Sequence, residues 1–318
     1  MRRRILGIIA LMSMVVTLGA FAQGKFPTKP IKIIVPWDAG GGTDAVARAL
    51  ARSGEKYLGV PVVVENKPGG SGAVGLAEVV QSAPDGYTLA ILPVELGFMD
   101  KTGVYPFGFK DFTPIMNINT DPAALTVKTG KFKNVAEFVA YAKANPGKLK
   151  VGNSGTGLLW HLAAAVFSKE AGISLTYVPF SGAAPAIAAL IGNQIDAVSV
   201  SGAEVQAQVK GGDLTMLACM GDKRLANFPE VPTLMELGYN VNINTFRGIG
   251  GPKGLPADRV KILADAFKKM MEEPDFVSTL GKMGLGIDYR STADYKKLAD
   301  ETAATLAPIL TELGLLRK

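Results

Sequence analysis

The 318-residue chain contains one cysteine, Cys219, and one histidine, His161. A lone cysteine cannot form an internal disulfide, and its apolar, strand-like surroundings predict a buried, inert thiol. The Ser–His and Cys–His pairs of nucleophilic catalysis have almost no candidates here, and a metal site would lack several of its usual ligands. We therefore expect a protein without covalent chemistry, without a metal and without a cofactor.

A large excess of charge of one sign is also absent. The chain has 34 Lys and Arg against 28 Asp and Glu. Without the three arginines at positions 2–4, the excess falls to about +3. The remaining basic residues are scattered and are not interleaved with aromatic residues, as they would be on a nucleic-acid-binding surface. The sequence therefore predicts no nucleic-acid partner.

Long apolar runs are confined to the N-terminus. Residues 5–21 are apolar, follow the three arginines and precede the small residue Ala22. This layout predicts a signal peptide over residues 1–22, cleaved after Ala22; an uncleaved membrane anchor is the alternative. No later run reaches 18 apolar residues, so we expect an exported chain with no stable membrane insertion after cleavage.

Glycine is abundant at three points where a strand-like run gives way to a helical one, at residues 38–44, 152–157 and 181–184. The start of a helix leaves backbone N–H groups unpaired and carries partial positive charge, so each turn favours an anion. Three such turns suggest a cleft for a small molecule with more than one carboxylate. The candidate ligand-binding residues in them are Asp38, Ala39, Gly40, Gly41, Gly42, Thr43, Asp44, Ser154, Gly155, Thr156, Gly157, Gly182 and Ala183.

Strand-like and helical runs alternate along most of the chain, which predicts α/β folding with parallel, doubly wound sheets. About 296 mature residues suit two domains better than one core. We predict that domain 1 comprises residues 23–120 and 243–318, and that domain 2 comprises residues 121–242. Two chain crossings imply a hinge with a cleft between the two domains. Because ligands bind beyond the carboxyl ends of strands, the turns of the two domains can face each other there.

Three further candidates have two interpretations each. His161 follows the second turn among apolar neighbours and either contacts the ligand or is a structural histidine near the hinge. Asp196 precedes a strand and either faces the cleft or caps a loop. Arg247 can form a bidentate contact with a ligand carboxylate, or it can link acidic residues across the hinge. Thr43 and Asp44 are likewise either ligand contacts or helix caps.

The first turn also matches the dinucleotide-binding pattern G-x-G-x-x-A through Gly40, Gly42 and Ala45, with Glu65 near the position of a ribose-binding acid. Export would separate the chain from cytosolic nucleotides. Acidic residues at both ends of the turn would repel a pyrophosphate. We therefore favour a turn that binds a carboxylate.

Several segments together resemble the periplasmic solute receptors of the tripartite tricarboxylate transporter family, also called the Bug family. Their order and spacing match over essentially the whole mature chain. The segments are IVPWDAGGGTD at 34–44, VENKPGGSG at 64–72, SAPDGYTL at 82–89, DFTPI at 111–115, GTG at 155–157 with residues 161–163, VPFSGAAPA at 178–186, GNQID at 192–196 and PEVPT at 229–233.

The resemblance implies two hinged α/β domains with an interdomain cleft, as in periplasmic binding proteins. It also implies a receptor in the periplasm that delivers its ligand to a two-component membrane permease. It also implies that the first turn and the turn at residues 155–157 hold one ligand carboxylate through backbone N–H groups and bridging water. The chain departs from the family pattern at residues 94–95, 180–182 and 244–248, where the far end of the ligand would be recognised.

The leading hypothesis is therefore a receptor for a small carboxylate, a di- or tricarboxylic acid, that works by hinge closure. One alternative is a ligand-sensing partner of a membrane sensor kinase that uses the same cleft. The other is a secreted enzyme that acts on a small organic acid.

Overall fold

The computed structural model describes residues 25–317. The predicted signal peptide and its cleavage site lie outside the described residues. Between residues 25 and 317, no helix combines the length and the apolar character that crossing a membrane requires.

Strands and helices alternate through both halves of the chain. The strands are β1 Ile31–Val35, β2 Val62–Asn66, β3 Thr88–Pro93, β4 Phe112–Lys128, β5 Lys150–Asn153, β6 Thr176–Pro179, β7 Ala197–Ser201, β8 Leu214–Cys219, β9 Asn244–Pro252 and β10 Ile287–Arg290. The helices are α1 Gly42–Ala51, α2 Gly54–Leu58, α3 Ala73–Gln81, α4 Met99–Thr102, α5 Val135–Ala144, α6 Leu159–Glu170, α7 Ala183–Ile191, α8 Gln206–Lys210, α9 Ala257–Met271, α10 Pro274–Met283 and α11 Thr292–Glu312.

The first half is built on the parallel strands β2, β1 and β3, in that order. Strand β9 returns antiparallel beside β3 and also pairs with β4, and β10 covers part of β4. Four of the five residues of β1 are fully buried, which is expected of a parallel strand with helices on both faces.

The second half repeats this arrangement with the parallel strands β6, β5 and β7. Strand β4 pairs antiparallel with β7 on one side and with β8 on the other. The predicted doubly wound α/β class is confirmed, but each sheet is mixed. The parallel strands come from strand–helix–strand units, whereas β4 and β9 carry the chain between the halves and run antiparallel to their neighbours.

Strand β4 is the main connection between the halves. Its N-terminal part pairs with β9 and β10, and its C-terminal part pairs with β7 and β8. The second crossing lies beside the first, because Pro122 of β4 is paired with Asn244 at the start of β9. The domain boundaries at residues 120/121 and 242/243 remain a prediction.

The interior consists of two clusters of buried apolar side chains. In one, Ile33 and Val46 pack with Phe267. In the other, Phe138 and Phe167 lie beneath the second sheet. The Cys219 thiol is fully buried, and this burial raises its pKa.

Candidate functional site

A cleft lies between the two halves at the carboxyl ends of β1 and β6, where ligands of α/β proteins bind. Its open space, counted together with the solvent at its mouth, is about 650 Å³. Its walls come from both halves of the chain. The lining residues are Trp37, Asp38, Ala39, Gly41, Gly42, Thr43, Asp44, Pro93, Glu95, Ser154, Trp160, Gly182, Ala183, Ala184, Pro185, Glu204, Thr245 and Arg247.

The first glycine turn is held in place by Asp44. One oxygen of this buried carboxylate accepts a hydrogen bond from Gly40 N at 3.1 Å, and the other accepts from Asn66 Nδ2 at 2.9 Å. Arg48 Nε donates to both oxygens, at 2.9 and 3.0 Å. Burial alone would raise the pKa of Asp44, but the hydrogen bonds from Arg48, Gly40 and Asn66 outweigh it and lower that pKa. This network favours a structural role for Asp44 over direct ligand contact.

The same turn leaves backbone donors free beside the cleft. Among residues 25–317, no protein atom accepts from the N–H groups of Gly41, Gly42 or Thr43. They belong to the N-terminus of α1, where unpaired N–H groups and the helix dipole favour an anion. Gly40 lies at the edge of an adjoining apolar depression rather than on the cleft wall itself.

The third turn presents a second set of free donors from the opposite half. The N–H groups of Gly182, Ala183 and Ala184 have no acceptor in the described part of the chain. They begin helix α7, and Pro185 in its first turn has no N–H group to satisfy. The N-termini of α1 and α7 therefore face one cleft from two sides.

The second turn is placed differently. Ser154 lines the cleft, but Gly155, Thr156 and Gly157 line a separate depression together with Ser71 and Leu315. The donors of this turn are also used internally. Gly155 N donates to Asn153 Oδ1 at 2.9 Å, and Gly157 N donates to His161 Nδ1 at 3.0 Å.

His161 is buried in α6, and the cleft wall does not include it. Besides accepting from Gly157, its ring packs edge-on against Tyr177, with centroids 4.6 Å apart. Burial lowers the pKa of His161. This placement favours the structural interpretation.

Asp196 lies at the opposite end of the second sheet from the cleft. Its carboxylate accepts from Lys150 N at 2.7 Å and pairs with the Lys131 ammonium. It precedes β7 and ties together the amino ends of β5 and β7, so the structure favours the loop-capping alternative.

Arg247 lies on β9, is only 3% exposed, and reaches the cleft from the crossing between the halves. Its Nη1 donates to Asn119 and Asp121 of β4. Its Nε donates to Thr43 Oγ1 of the first turn at 3.0 Å. A Cβ atom built on Gly42 would lie 2.9 Å from Nη2, so this nitrogen lies close beneath the turn. Arg247 thus supports the crossing and the turn, and Nη2 has no acceptor among residues 25–317.

Sequence reasoning missed several residues of the cleft wall, chiefly Glu95, Glu204, Thr245 and Trp160. Glu95 follows β3 and is 6% exposed. Its Oε1 accepts a 3.3 Å hydrogen bond from Leu159 N, at the N-terminus of α6 in the other half. The usable signals were the departures from the family pattern at residues 94–95 and 244–248, which contain Glu95 and Thr245. The wall also includes both tryptophans of the chain.

The dinucleotide interpretation gains no support from Glu65, whose carboxylate forms ion pairs with Lys32 and Lys67. Among residues 25–317, no three His, Cys, Asp or Glu side chains are grouped so that they could hold a metal ion.

Two mixed α/β units with a cleft at the carboxyl ends of their parallel strands define a periplasmic binding protein fold. The family model described as "Tripartite tricarboxylate transporter family receptor" matches residues 46–315. The chain belongs to this family of solute-binding receptors, whose members are periplasmic binding proteins.

Individual relatives agree with this assignment. The UPF0065 protein in the gbd 5' region of Cupriavidus necator is 37% identical over 295 residues, which cover 92% of this chain and 89% of that protein. A solved R. palustris protein with adipate has a TM-score of 0.86 and 25% identity, covering 91% of this chain and 99% of the other. MatC from Rhodopseudomonas palustris with bound malate has a TM-score of 0.83 and 26% identity, covering 90% and 100%.

Proposed function

We propose that this protein is a periplasmic receptor that binds a small organic carboxylate in the cleft and delivers it to a two-component membrane permease. Ligand binding involves hinge closure and no covalent chemistry. The observation that carries the proposal is that unpaired N–H groups at the start of α1 and of α7 face one cleft from its two sides.

A di- or tricarboxylic acid is the ligand class that fits these donors. One carboxylate can accept from the N–H groups of Gly41, Gly42 and Thr43, and another group can accept from those of Gly182 and Ala183. The adipate and malate complexes of the two structural relatives support this class, because both ligands are small dicarboxylates. Ligand contact by residues 155–157, His161 and Asp196 remains a prediction that their placement does not favour.

The binding step is tested by a thermal-shift screen of mono-, di- and tricarboxylates, followed by titration calorimetry on the best ligand. A ligand at 100 times its Kd should add about 2.7 kcal/mol to the free energy of unfolding. Small-angle scattering during the same titration should show a more compact particle. The absence of stabilisation by any acid in the panel would contradict carboxylate binding.

The transport step is tested separately, by uptake of the identified ligand in cells that lack this chain. Uptake should fall and should be restored by the unchanged gene. Restoration by a variant that no longer binds the ligand would contradict the receptor role.

A further inference from the structure

Carboxylates outnumber cations on the wall of the cleft. Asp38, Asp44, Glu95 and Glu204 line it, and Arg247 is the single cation there. An anion-binding cleft does not need this excess of negative charge, which would weaken the binding of a purely anionic ligand.

Pairing within the protein offsets the one positive charge on the wall. The Arg247 guanidinium is bonded to the buried Asp121 carboxylate, just as Asp44 is paired with Arg48. What remains on the wall is the carboxylates of Asp38, Glu95 and Glu204. None of these three forms an ion pair with another residue between 25 and 317.

Glu95 is the most unusual of the three because it is buried. Its side chain accepts one hydrogen bond from another residue between 25 and 317, the 3.3 Å bond from Leu159 N to Oε1, and no other residue there donates to Oε2. Burial raises the pKa of Glu95. The backbone N–H groups of Glu95 itself and of Leu159, together with the Arg247 charge, lower this pKa, but burial and the Glu204 charge outweigh them and the pKa is raised.

Glu204 approaches from the other half of the chain. Its Oε2 accepts from Ser201 N at 3.1 Å and from Ser201 Oγ at 3.2 Å, whereas its Oε1 has no partner in the described chain. Glu95 and Glu204 are thus two carboxylates in one cleft without an ion-pair partner among residues 25–317, an arrangement that a bound cation would relieve.

We propose that the ligand carries a protonated amine in addition to its carboxylate, and that Glu95 and Glu204 bind this amine from the two sides of the cleft. The proposal rests on the proposed function, because the carboxylate end of the ligand still binds the N–H groups of α1 and α7. The ligand class is therefore an aminocarboxylate, and Glu95 and Glu204 determine specificity for it.

A protonated, neutral Glu95 would lead to a different prediction. If Glu95 were neutral and donated its proton to a second carboxylate of the ligand, plain dicarboxylates would bind more tightly than their amino derivatives. Glutamine at position 95 would then conserve the donor and leave their affinity nearly unchanged.

The test uses pairs of acids that differ only by the amine on one carbon, namely adipate against 2-aminoadipate and succinate against aspartate. Binding is followed by calorimetry and by the fluorescence of the two cleft tryptophans. We expect each amino acid to bind about 10- to 150-fold more tightly than its partner, the gain typical of one charge-assisted hydrogen bond.

The matched variants are Glu95→Gln, Glu204→Gln and their combination, because glutamine conserves the shape and the acceptor oxygen. The double variant should bring the amino-to-plain affinity ratio close to one. Glu170→Gln, an exposed position at the end of α6, is the control and should leave the ratio unchanged.

The outcomes separate the two proposals. Plain and amino acids that bind equally, or a ratio that survives both substitutions, would overturn this inference while leaving carboxylate binding intact. If neither plain acids nor amino acids bind, the proposed function fails, and the inference fails with it.

Discussion

The first and second glycine turns have similar compositions and both follow a parallel strand, yet they use their backbone donors differently. In the first turn only Gly40 donates to a side chain, whereas in the second both Gly155 and Gly157 do so. The first turn therefore keeps three N–H groups directed at the cleft, and the second lines another depression. A glycine turn before a helix becomes an anion site only where neighbouring side chains leave its donors unused.

The largest expected effect concerns Arg247, which supports the first turn through Thr43. Arg247→Ala leaves the buried Asp121 carboxylate without its cation, so the free energy of unfolding should fall by about 3–5 kcal/mol. Urea denaturation of the ligand-free protein measures this change. Arg247→Ala combined with Asp121→Ala should recover part of the loss, and an additive loss would show that the pair is not coupled.

Equal substitutions at Gly41 and Gly155 test whether the two turns differ in ligand binding. Gly41 has φ −81° and ψ 172°, and a Cβ there meets nothing within 4 Å. Gly41→Leu should therefore conserve stability while weakening carboxylate binding by about 100-fold, because the side chain covers the free donors. Calorimetry on the best ligand measures this loss.

Gly155 has φ +141°, so Gly155→Leu should cost about 1–3 kcal/mol of stability while affecting binding much less. Gly281→Leu, in open space on α10, is the control. Equal losses of binding at positions 41 and 155 would place both turns at the ligand.

Asp44 should give a smaller effect that depends on pH. Its folded-state pKa lies below the ordinary value of 3.8, so its contribution to stability is fully present above that value and is lost as the pH falls below it and through the folded-state pKa. Asp44→Asn should cost about 1–3 kcal/mol at neutral pH. The stability of the variant should decline less steeply below pH 5, as thermal unfolding over a pH series would show; parallel curves would contradict this.

The smallest effect should come from His161, which supports the second turn. Burial lowers its pKa, so the unfolded chain binds a proton that the folded chain does not, and stability should fall as the pH drops below about 6.5. The slope is at most about 1.4 kcal/mol per pH unit. His161→Gln, which does not titrate, should flatten this dependence between pH 5 and 7 without changing ligand affinity. A loss of ligand affinity would contradict the structural role and would favour ligand contact by His161.

The sequence predicted the strands that precede the turns because short runs rich in apolar residues stand there between turn residues. It did not predict the length of β4, whose central part contains Asn117, Asn119 and Asp121. These polar residues interrupt an apolar pattern, but they are buried and bonded to other residues at the crossing, among them Arg247 and Asp288. Local patterns contain no information about such distant partners.

The same limit applies to the cleft. The positions of the first and third turns could be predicted because a helix start is a local feature of the sequence. The place of Glu95 in the cleft wall could not, because its carboxylate meets Leu159 of the other half of the chain there. The internal use of the second turn also depends on the side chains of Asn153 and His161, whose orientation no spacing determines.

The continuity of β4 has a mechanical consequence. One strand belongs to both sheets, so the halves cannot rotate against each other unless this strand or its ladder with β9 twists. The ladder has register irregularities between Pro114 and Met116 and between Asn117 and Asn119, and such irregularities interrupt the regular pairing and increase the local twist. Arg247 extends from the β4–β9 ribbon to Thr43. Torsion of this ribbon is therefore coupled to displacement of the first turn, and a force on that turn is transmitted back to the ribbon.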